Sequence, residues 1–300
     1  MPKIKVKVIV NPVAGSGSSL HRWPEIKDMV MKITSDISYT SSPGHATLLA
    51  AEAVSAGFDG IIIVGGDGTI NEVVQAAAER DVILAPLSSG TGSDFMRSLG
   101  LPEAHQILES LASGIFTRID SGLMEYGTRQ RRFLNIMEAG FGAEVMLYVN
   151  SHRRSRGAFN TGVIRSLWKL RTYGITLRYG TTVQSLESVE IVVANGRYFG
   201  GGMLASPDSS LTDGMLDIHI VGGMGRMELL SKLGKLRNGT YISDRKVNTY
   251  HLSEFSMEGN APMEADGENM GVLPVTVRAV PHSLSIAGKI AGNTNTHAES

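Results

Sequence analysis

One stretch constrains the fold of this chain more than any other. Ile61-Ile62-Ile63-Val64 runs directly into Gly65-Gly66-Asp67-Gly68-Thr69-Ile70-Asn71-Glu72. Four branched apolar residues in succession predict a short strand buried on both faces, as in a parallel sheet. Three glycines and an acid end that strand. Thr69, with Glu72 three residues on, has the spacing of a capping box and predicts a helix from Ile70 to about Arg80. A strand that turns through glycines into a helix N-terminus makes an anion site, because backbone N–H groups and the helix dipole both favour negative charge. Asp67 sits among those donors and would repel phosphate unless a cation lay between them. The stretch therefore predicts a metal–nucleotide site rather than a plain phosphate site.

The flanking sequence repeats this logic. Residues 3–10, 37–40 and 82–86 read as further short strands, and 19–33, 45–56 and 103–113 as helices. Alternating strands and helices predict a parallel sheet covered on both faces, with ligands at the carboxyl ends of its strands. Three loops fall at such ends: 11–17, 65–69 and 88–94. Beyond about residue 122 the pattern changes. Stretches 131–138, 174–180, 188–194, 215–221, 249–257 and 274–287 read as strands separated by Gly-, Asn- and Asp-rich turns, with helices at 158–171 and 226–237. The expected organisation is an α/β domain over 1–122, a mainly antiparallel β-sandwich domain over 123–292, and a frayed tail at 293–300.

Composition narrows the chemistry. None of the 300 residues is cysteine, which excludes disulfides, zinc–thiolate sites and a cysteine nucleophile, and fits a cytoplasmic protein. No apolar run approaches a membrane span, and the lysine-interleaved N-terminus lacks the core of a signal peptide. A formal net charge of −1 gives no electrostatic basis for a nucleic-acid partner. Charge is unevenly spread, however. From Val145 to Leu186 there is no acid, against Arg153, Arg154, Arg156, Arg165, Lys169, Arg171 and Arg178. Phe159, Ile164, Leu167, Trp168 and Leu170 lie among these bases. That combination reads either as a solvated face or as a surface that docks on an anionic bilayer.

Four motifs occur in order: Asn-Pro-Val-Ala-Gly-Ser-Gly at 11–17, Gly-Gly-Asp-Gly-Thr-Ile-Asn at 65–71, Pro-Leu-Ser-Ser-Gly-Thr-Gly-Ser-Asp-Phe-Met-Arg at 86–97, and Asp-Gly-Glu at 266–268. Asp-Gly-Met-Leu-Asp lies at 213–217. With these motifs the chain resembles the diacylglycerol kinase catalytic-domain family, which includes bacterial lipid kinases and the sphingosine and ceramide kinases. The second motif alone is shared with NAD kinases and phosphofructokinases, and its combination with 86–97 is far more specific.

The resemblance implies an N-terminal α/β domain of the NAD kinase and diacylglycerol kinase type and a C-terminal β-sandwich. It also implies transfer of the ATP γ-phosphoryl group to a lipid hydroxyl. The implied ATP contacts are Asn11, Pro12 and Gly15, Thr40, Gly65, Gly66, Asp67, Gly68, Thr69, Ile70 and Asn71, and Thr91. Asp67 is the expected Mg2+ ligand, since magnesium sits on one or two carboxylates plus phosphate. Asp94, Arg97 and Asp120 match positions of a charged network around that metal. Asp94 also reads as a cap for the helix after it, and Ser93 stands where the family usually has Asn. Glu268 is the implied general base for the lipid hydroxyl, with Asp266 the runner-up, although Asp266-Gly267 is first of all a hairpin-turn signal. In bacterial members a second, structural metal sits on an acid and main-chain carbonyls. Here those would be Asp213 with the carbonyls of Ser210 and Met215.

The function expected is therefore an ATP- and Mg2+-dependent lipid kinase. Its partners would be ATP, a membrane-derived lipid, a peripheral membrane contact through 145–186, and a second copy of the chain. Two other readings stay open: an NAD kinase-like enzyme acting on a soluble substrate, and a nucleotide-binding protein without turnover.

Overall fold

The computed structural model describes residues 4–88, 93–100, 103–152, 157–290 and 297–298. The chain divides into two compact units, Met1–Ser121 with Pro281–Ser300, and Gly122–Val280.

In the first unit, strands β1 (Val6–Val10), β2 (Ile37–Tyr39), β3 (Gly60–Gly65) and β4 (Ile83–Ser88) pair in parallel in the order β2-β1-β3-β4. The connecting helices are α1 (Ser18–Met31), α2 (His45–Ser55) and α3 (Asp67–Ala77); α4 (Asp94–Leu99) and α5 (Ala104–Ala112) follow. Ile61 to Val64 are fully buried. Ile62 and Val64 pack with Val8, Val10, Trp23, Ile26, Ile107 and Leu111 on one side. Ile61 and Ile63 point the opposite way along the pleat and are equally buried, so both faces of the sheet are covered.

The chain crosses into the second unit inside β5 (Ile115–Tyr126). There follow β6 (Arg129–Phe133), β7 (Ile136–Gly140), α6 (Phe141–Ser151), α7 (Ala158–Trp168), β8 (Tyr173–Tyr179), β9 (Thr182–Ala194), β10 (Tyr198–Phe199), β11 (Met203–Leu204), β12 (Leu216–Gly222), α8 (Arg226–Lys232), β13 (Val247–Leu252), β14 (Glu254–Glu258), β15 (Pro262–Ala265), β16 (Glu268–Val272) and β17 (Val275–Ala287). Pairing in this unit is antiparallel. Long β9 pairs β8 through residues 182–188 and β7 through 190–194, so it joins two groups, β16-β15-β7-β9-β12-β13 and β9-β8-β14-β17. Met137, Ile175, Leu177, Ile191, Val193, Ile218, Phe255, Met257, Met263 and Val277 fill the core between them.

Four expectations from the sequence differ here. Residues 131–138 form two strands, not one, because the Asp266 carboxylate takes the N–H groups of Leu134, Asn135 and Ile136 away from a ladder. The stretch 249–257 likewise divides at Ser253. Residues 281–290, expected in the second domain, group with the first, because the end of β17 pairs in parallel with β4. Of the tail expected to fray, His297–Ala298 (β18) pair with β5, and 293–296 and 299–300 lie outside the described residues. Among the described residues no helix is long and apolar enough to cross a membrane.

Candidate active site

Register brings the first group of predicted residues together. Val10 is aligned with Tyr39 and with Val64, and Gly65 with Ser88. Asn11, Thr40, Gly66 and the loop after Ser88 thus leave the carboxyl ends of four adjacent parallel strands. Asn11 is tied in by its backbone N–H to Val64 O at 2.9 Å and by its side-chain amide, which donates to Thr69 Oγ1 at 2.9 Å. Asn11 Oδ1 accepts the N–H of Val13, turning the chain past Pro12 into Gly15, whose φ of 59° suits glycine. Thr40 donates its N–H to Val10 O. Thr91 lies outside the described residues, as do 89, 90 and 92.

The turn itself differs from a capping box. Helix α3 begins at Asp67, with Gly66 as its cap in an extended conformation, so Thr69 is inside the helix and its hydroxyl is held by Asn11. Glu72 reaches away to α2, accepting the N–H groups of Gly44 at 2.9 Å and Ala46 at 3.1 Å. It caps the neighbouring helix instead of its own. Gly65 has a packing reason to be glycine: a Cβ there would lie 2.6 Å from Thr69. Gly66 and Gly68 have none. Nothing lies within 4 Å of a Cβ at either, and Gly66 has φ −101°. The space before them is open where the first helical N–H groups of α3 have no intrahelical acceptor. Ile70 and Asn71 bury their side chains, so only their backbone could meet a ligand.

Asp67 points at the next loop. Its carboxylate accepts the hydroxyl of Ser93, the N–H of Asp94 at 2.9 Å and the N–H of Phe95 at 3.3 Å. Ser93 is itself the cap of α4, accepting from Met96 N, so serine does here both jobs asked of that position. Three donors use three of about four lone-pair positions of a carboxylate, leaving one for a cation. Buried Asp94 pairs with Arg97 Nη1 at 2.6 Å. Fully buried Asp120 accepts the N–H of His282 at 2.8 Å and so holds that residue at its positive φ of 52°. Among the described residues no group of three or more His, Asp or Glu is arranged to hold a metal. One carboxylate position beside open glycines suits magnesium, which completes its shell with phosphate and water.

The second group lies in the other unit. Asp266 (φ 45°) and Gly267 (φ 85°) form the two-residue turn that joins β15 to β16, with Ala265 opposite Glu268. Asp266 accepts three successive backbone N–H groups at 2.7–3.2 Å, which commits it to structure. Gly267 is clamped on both sides: its N–H goes to Glu264 Oε2 at 2.7 Å, and its carbonyl accepts from Asn150 of α6 at 3.0 Å. Glu268 follows, half-exposed, with Oε2 held by Arg131 Nη2 at 2.8 Å. Arg131 and Asn150 carried no local signal in the sequence, and Glu264 showed only as an acid within an apolar strand. At 210–217, Asp213 Oδ1 accepts the N–H of Met215 at 3.0 Å, while Ser210 Oγ accepts the N–H of Thr212. His251 bridges Asp217 at 2.9 Å and Asp213 at 3.9 Å.

A second feature was also missed. Glu138, Glu190 and Glu264 are buried together. Met137, Met263 and Ile191 point into the core of the second unit, so by strand alternation the three glutamates share the opposite face. Glu264 stands directly across from Glu138, and the Gly142 N–H at the start of α6 donates to Glu190 at 2.7 Å. Burial pushes the Glu138 carboxyl from 4.5 up to about 7. Burial first, and then the charge of Glu138, pushes Glu190 and Glu264 well above the usual carboxylate range. The folded state thus holds protons that the unfolded chain releases above about pH 4.5. That stabilisation is complete at low pH and is lost as pH rises through about 7. Thermal melts should fall by a few degrees from pH 5 to 8, and Glu138→Gln should flatten that slope.

With this geometry in place, the chain can be compared with known proteins. Residues 5–124 match the diacylglycerol kinase catalytic domain, and 135–288 match the YegS C-terminal NAD kinase beta sandwich-like domain. A diacylglycerol kinase of Mycobacterium tuberculosis (strain H37Rv) is 25% identical over 94% of each chain. A "Probable lipid kinase YegS-like" of Pseudomonas putida (strain KT2440) is 30% identical over 84% of each. A crystal structure of a diacylglycerol kinase from Bacillus anthracis strain Sterne superimposes with TM-score 0.72 at 23% identity, covering 96% of this chain and 97% of that one, which speaks for the fold. Two domain matches in tandem, with relatives aligned over most of their length, place this chain in the diacylglycerol kinase family, as a kinase.

Proposed function

We propose that the chain transfers the γ-phosphoryl group of ATP to the hydroxyl of a membrane-derived lipid. The observation that carries this reading is the turn at 65–69, where Gly66 and Gly68 keep open space beside the Asp67 carboxylate. In this reading the loops from Asn11 to Gly15 and Gly65 to Asn71, with Thr40 and Thr91, hold the nucleotide through backbone donors. Asp67 holds Mg2+, which neutralises phosphate oxygens when bound. Asp94, Arg97 and Asp120 keep the charged surroundings fixed. Glu268 takes the lipid hydroxyl proton while that oxygen bonds to the γ-phosphorus. The bond from phosphorus to the β-phosphate oxygen breaks, and ADP leaves with its electron pair. Asp213, with the carbonyls of Ser210 and Met215, is a candidate for a second, structural cation.

Membrane contact has its own support. On α7, Phe159, Ile164 and Trp168 are exposed beside Arg165 and Lys169, and on α8 so are Met227 and Leu230. The Arg226 guanidinium lies 5.8 Å from the Trp168 ring. Apolar side chains ringed by bases fit an anionic bilayer surface.

Purified protein with magnesium and γ-labelled ATP should transfer label to a component of a lipid extract, faster in anionic than in zwitterionic vesicles. Label in a soluble acceptor without lipid would favour the NAD kinase-like reading. ATP binding with no product from any lipid would leave a nucleotide-binding protein without turnover.

A further inference from the structure

We propose that Glu264, through its hydrogen bond to Glu138, is a positioning residue that fixes the peptide carrying Glu268. This rests on the assignment of Glu268 as the base. Glu268 itself is half-exposed, and among the described residues its side chain is held only at its tip, by Arg131. Its placement therefore depends on the backbone of the preceding turn. Both turn residues have positive φ, a conformation that costs a non-glycine residue such as Asp266 free energy and persists only when its surroundings fix it. Three sets of hydrogen bonds do so: the three N–H groups on Asp266, Asn150 on the Gly267 carbonyl, and Glu264 on the Gly267 N–H.

Glu264 differs from the other two because it is an acid buried beside acids. Glu138 lies directly across the β15–β7 pair and is hydrogen-bonded to it. Two carboxyl groups can share that bond only if one keeps its proton. The surroundings are hostile to a second charge. Glu190 of β9 lies on the same face, and Asp266 at the turn also opposes ionisation of Glu264. Tyr241 acts on the group only as a neutral phenol, since its own proton is held by burial and by Glu138 and Glu190. From α6 the Gly142 N–H is spent on Glu190, and Glu144 is engaged with Tyr173 and Arg171. Arg131 pairs with Glu268 on β16. No described ion pair neutralises Glu264 or Glu138. Losing the shared proton leaves two charged carboxylates face to face, and their repulsion acts on Glu264, the carboxylate that holds Gly267 N–H. Deprotonation of this pair thus loosens the turn and misplaces Glu268, a second and alkaline limit on turnover. A misplacement of about 1 Å at the chemistry costs rate, not nucleotide affinity.

The test uses the full chain with magnesium, ATP and lipid vesicles. Glu264→Ala should lower kcat about tenfold or more with KM for ATP nearly unchanged. Glu264→Gln should rescue most of that loss, because the amide oxygen still accepts Gly267 N–H and the amide nitrogen donates to Glu138. In that variant the bond no longer needs a titrating proton, so the alkaline fall in kcat should move to higher pH than in the unaltered chain. A second readout is independent of activity. Hydrogen exchange at the Gly267 amide should speed up in Glu264→Ala and, in the unaltered chain, with pH beyond the intrinsic slope. Glu264→Gln should suppress that excess. Unchanged exchange in all variants, or coincident alkaline limbs for Glu264→Gln and the unaltered chain, overturns the proposal. Full activity of Glu268→Gln would overturn the base assignment instead, whatever the exchange data show. If Glu264→Ala does not fold, Glu264→Gln and Glu138→Gln carry the pH comparison.

Discussion

Asp67→Asn is expected to lower kcat at least about a hundredfold, with partial recovery at high magnesium. The residue has two separable roles. As a cap, its carboxylate holds Ser93 and the N–H groups of Asp94 and Phe95, and so fixes the start of α4. Loss of a cap costs about 1 kcal/mol and lowers the melting temperature without touching the chemistry of folded molecules. As a metal ligand, its charge is what matters, and Asn removes that charge while keeping one oxygen as acceptor. The variant should therefore stay folded, melt slightly lower, and need far more magnesium for any turnover. Asp67→Ala removes both roles and should show the larger stability loss on top. Rates measured across a magnesium titration, alongside melting curves, separate the two. A variant that melts lower but turns over like the unaltered chain would reduce Asp67 to a helix cap.

How much of this was legible in the sequence depends on the range over which each residue acts. The run Ile61–Val64 needs only its own composition to declare a buried strand, and the glycines after it declare the turn. The parallel sheet and the antiparallel second unit follow from local alternation in the same way. The Asp266-Gly267 hairpin is equally local, because the two residue types are those that tolerate positive φ. The capping box failed because Glu72 had a second suitor: the α2 N-terminus, 28 residues back at Gly44, offered N–H groups that the sequence does not place nearby. The split of 131–138 failed for the same reason, its cause being an acid 130 to 132 residues away. The buried glutamates are an intermediate case. Acids inside Ile136-Met137-Glu138-Ala139 and Pro262-Met263-Glu264-Ala265 are visible anomalies in apolar strands. That they face each other is a fact of register, which only the fold supplies.

Glu268→Gln should lower kcat by about a hundred- to ten-thousandfold, the usual worth of a general base, with little change in KM for ATP. The geometry makes this a sharp test. Arg131 engages Oε2 at 2.8 Å, so Oε1 is the oxygen we assign to the lipid hydroxyl proton. Gln can still accept from Arg131, and the turn is held by Asp266, Glu264 and Asn150 rather than by the Glu268 side chain. A loss of rate in this variant is therefore loss of a base, not of a fold. The half-exposure of Glu268 suits an acceptor that must enter from outside. If the variant turns over near the unaltered rate, Asp266 cannot inherit the role, because its carboxylate is already spent on three backbone N–H groups. The hydroxyl would then have to lose its proton without a side-chain base. Phosphoryl transfer through a loose transition state tolerates this better than acyl transfer does, since the nucleophile carries little charge when the phosphorus–oxygen bond to the leaving group breaks.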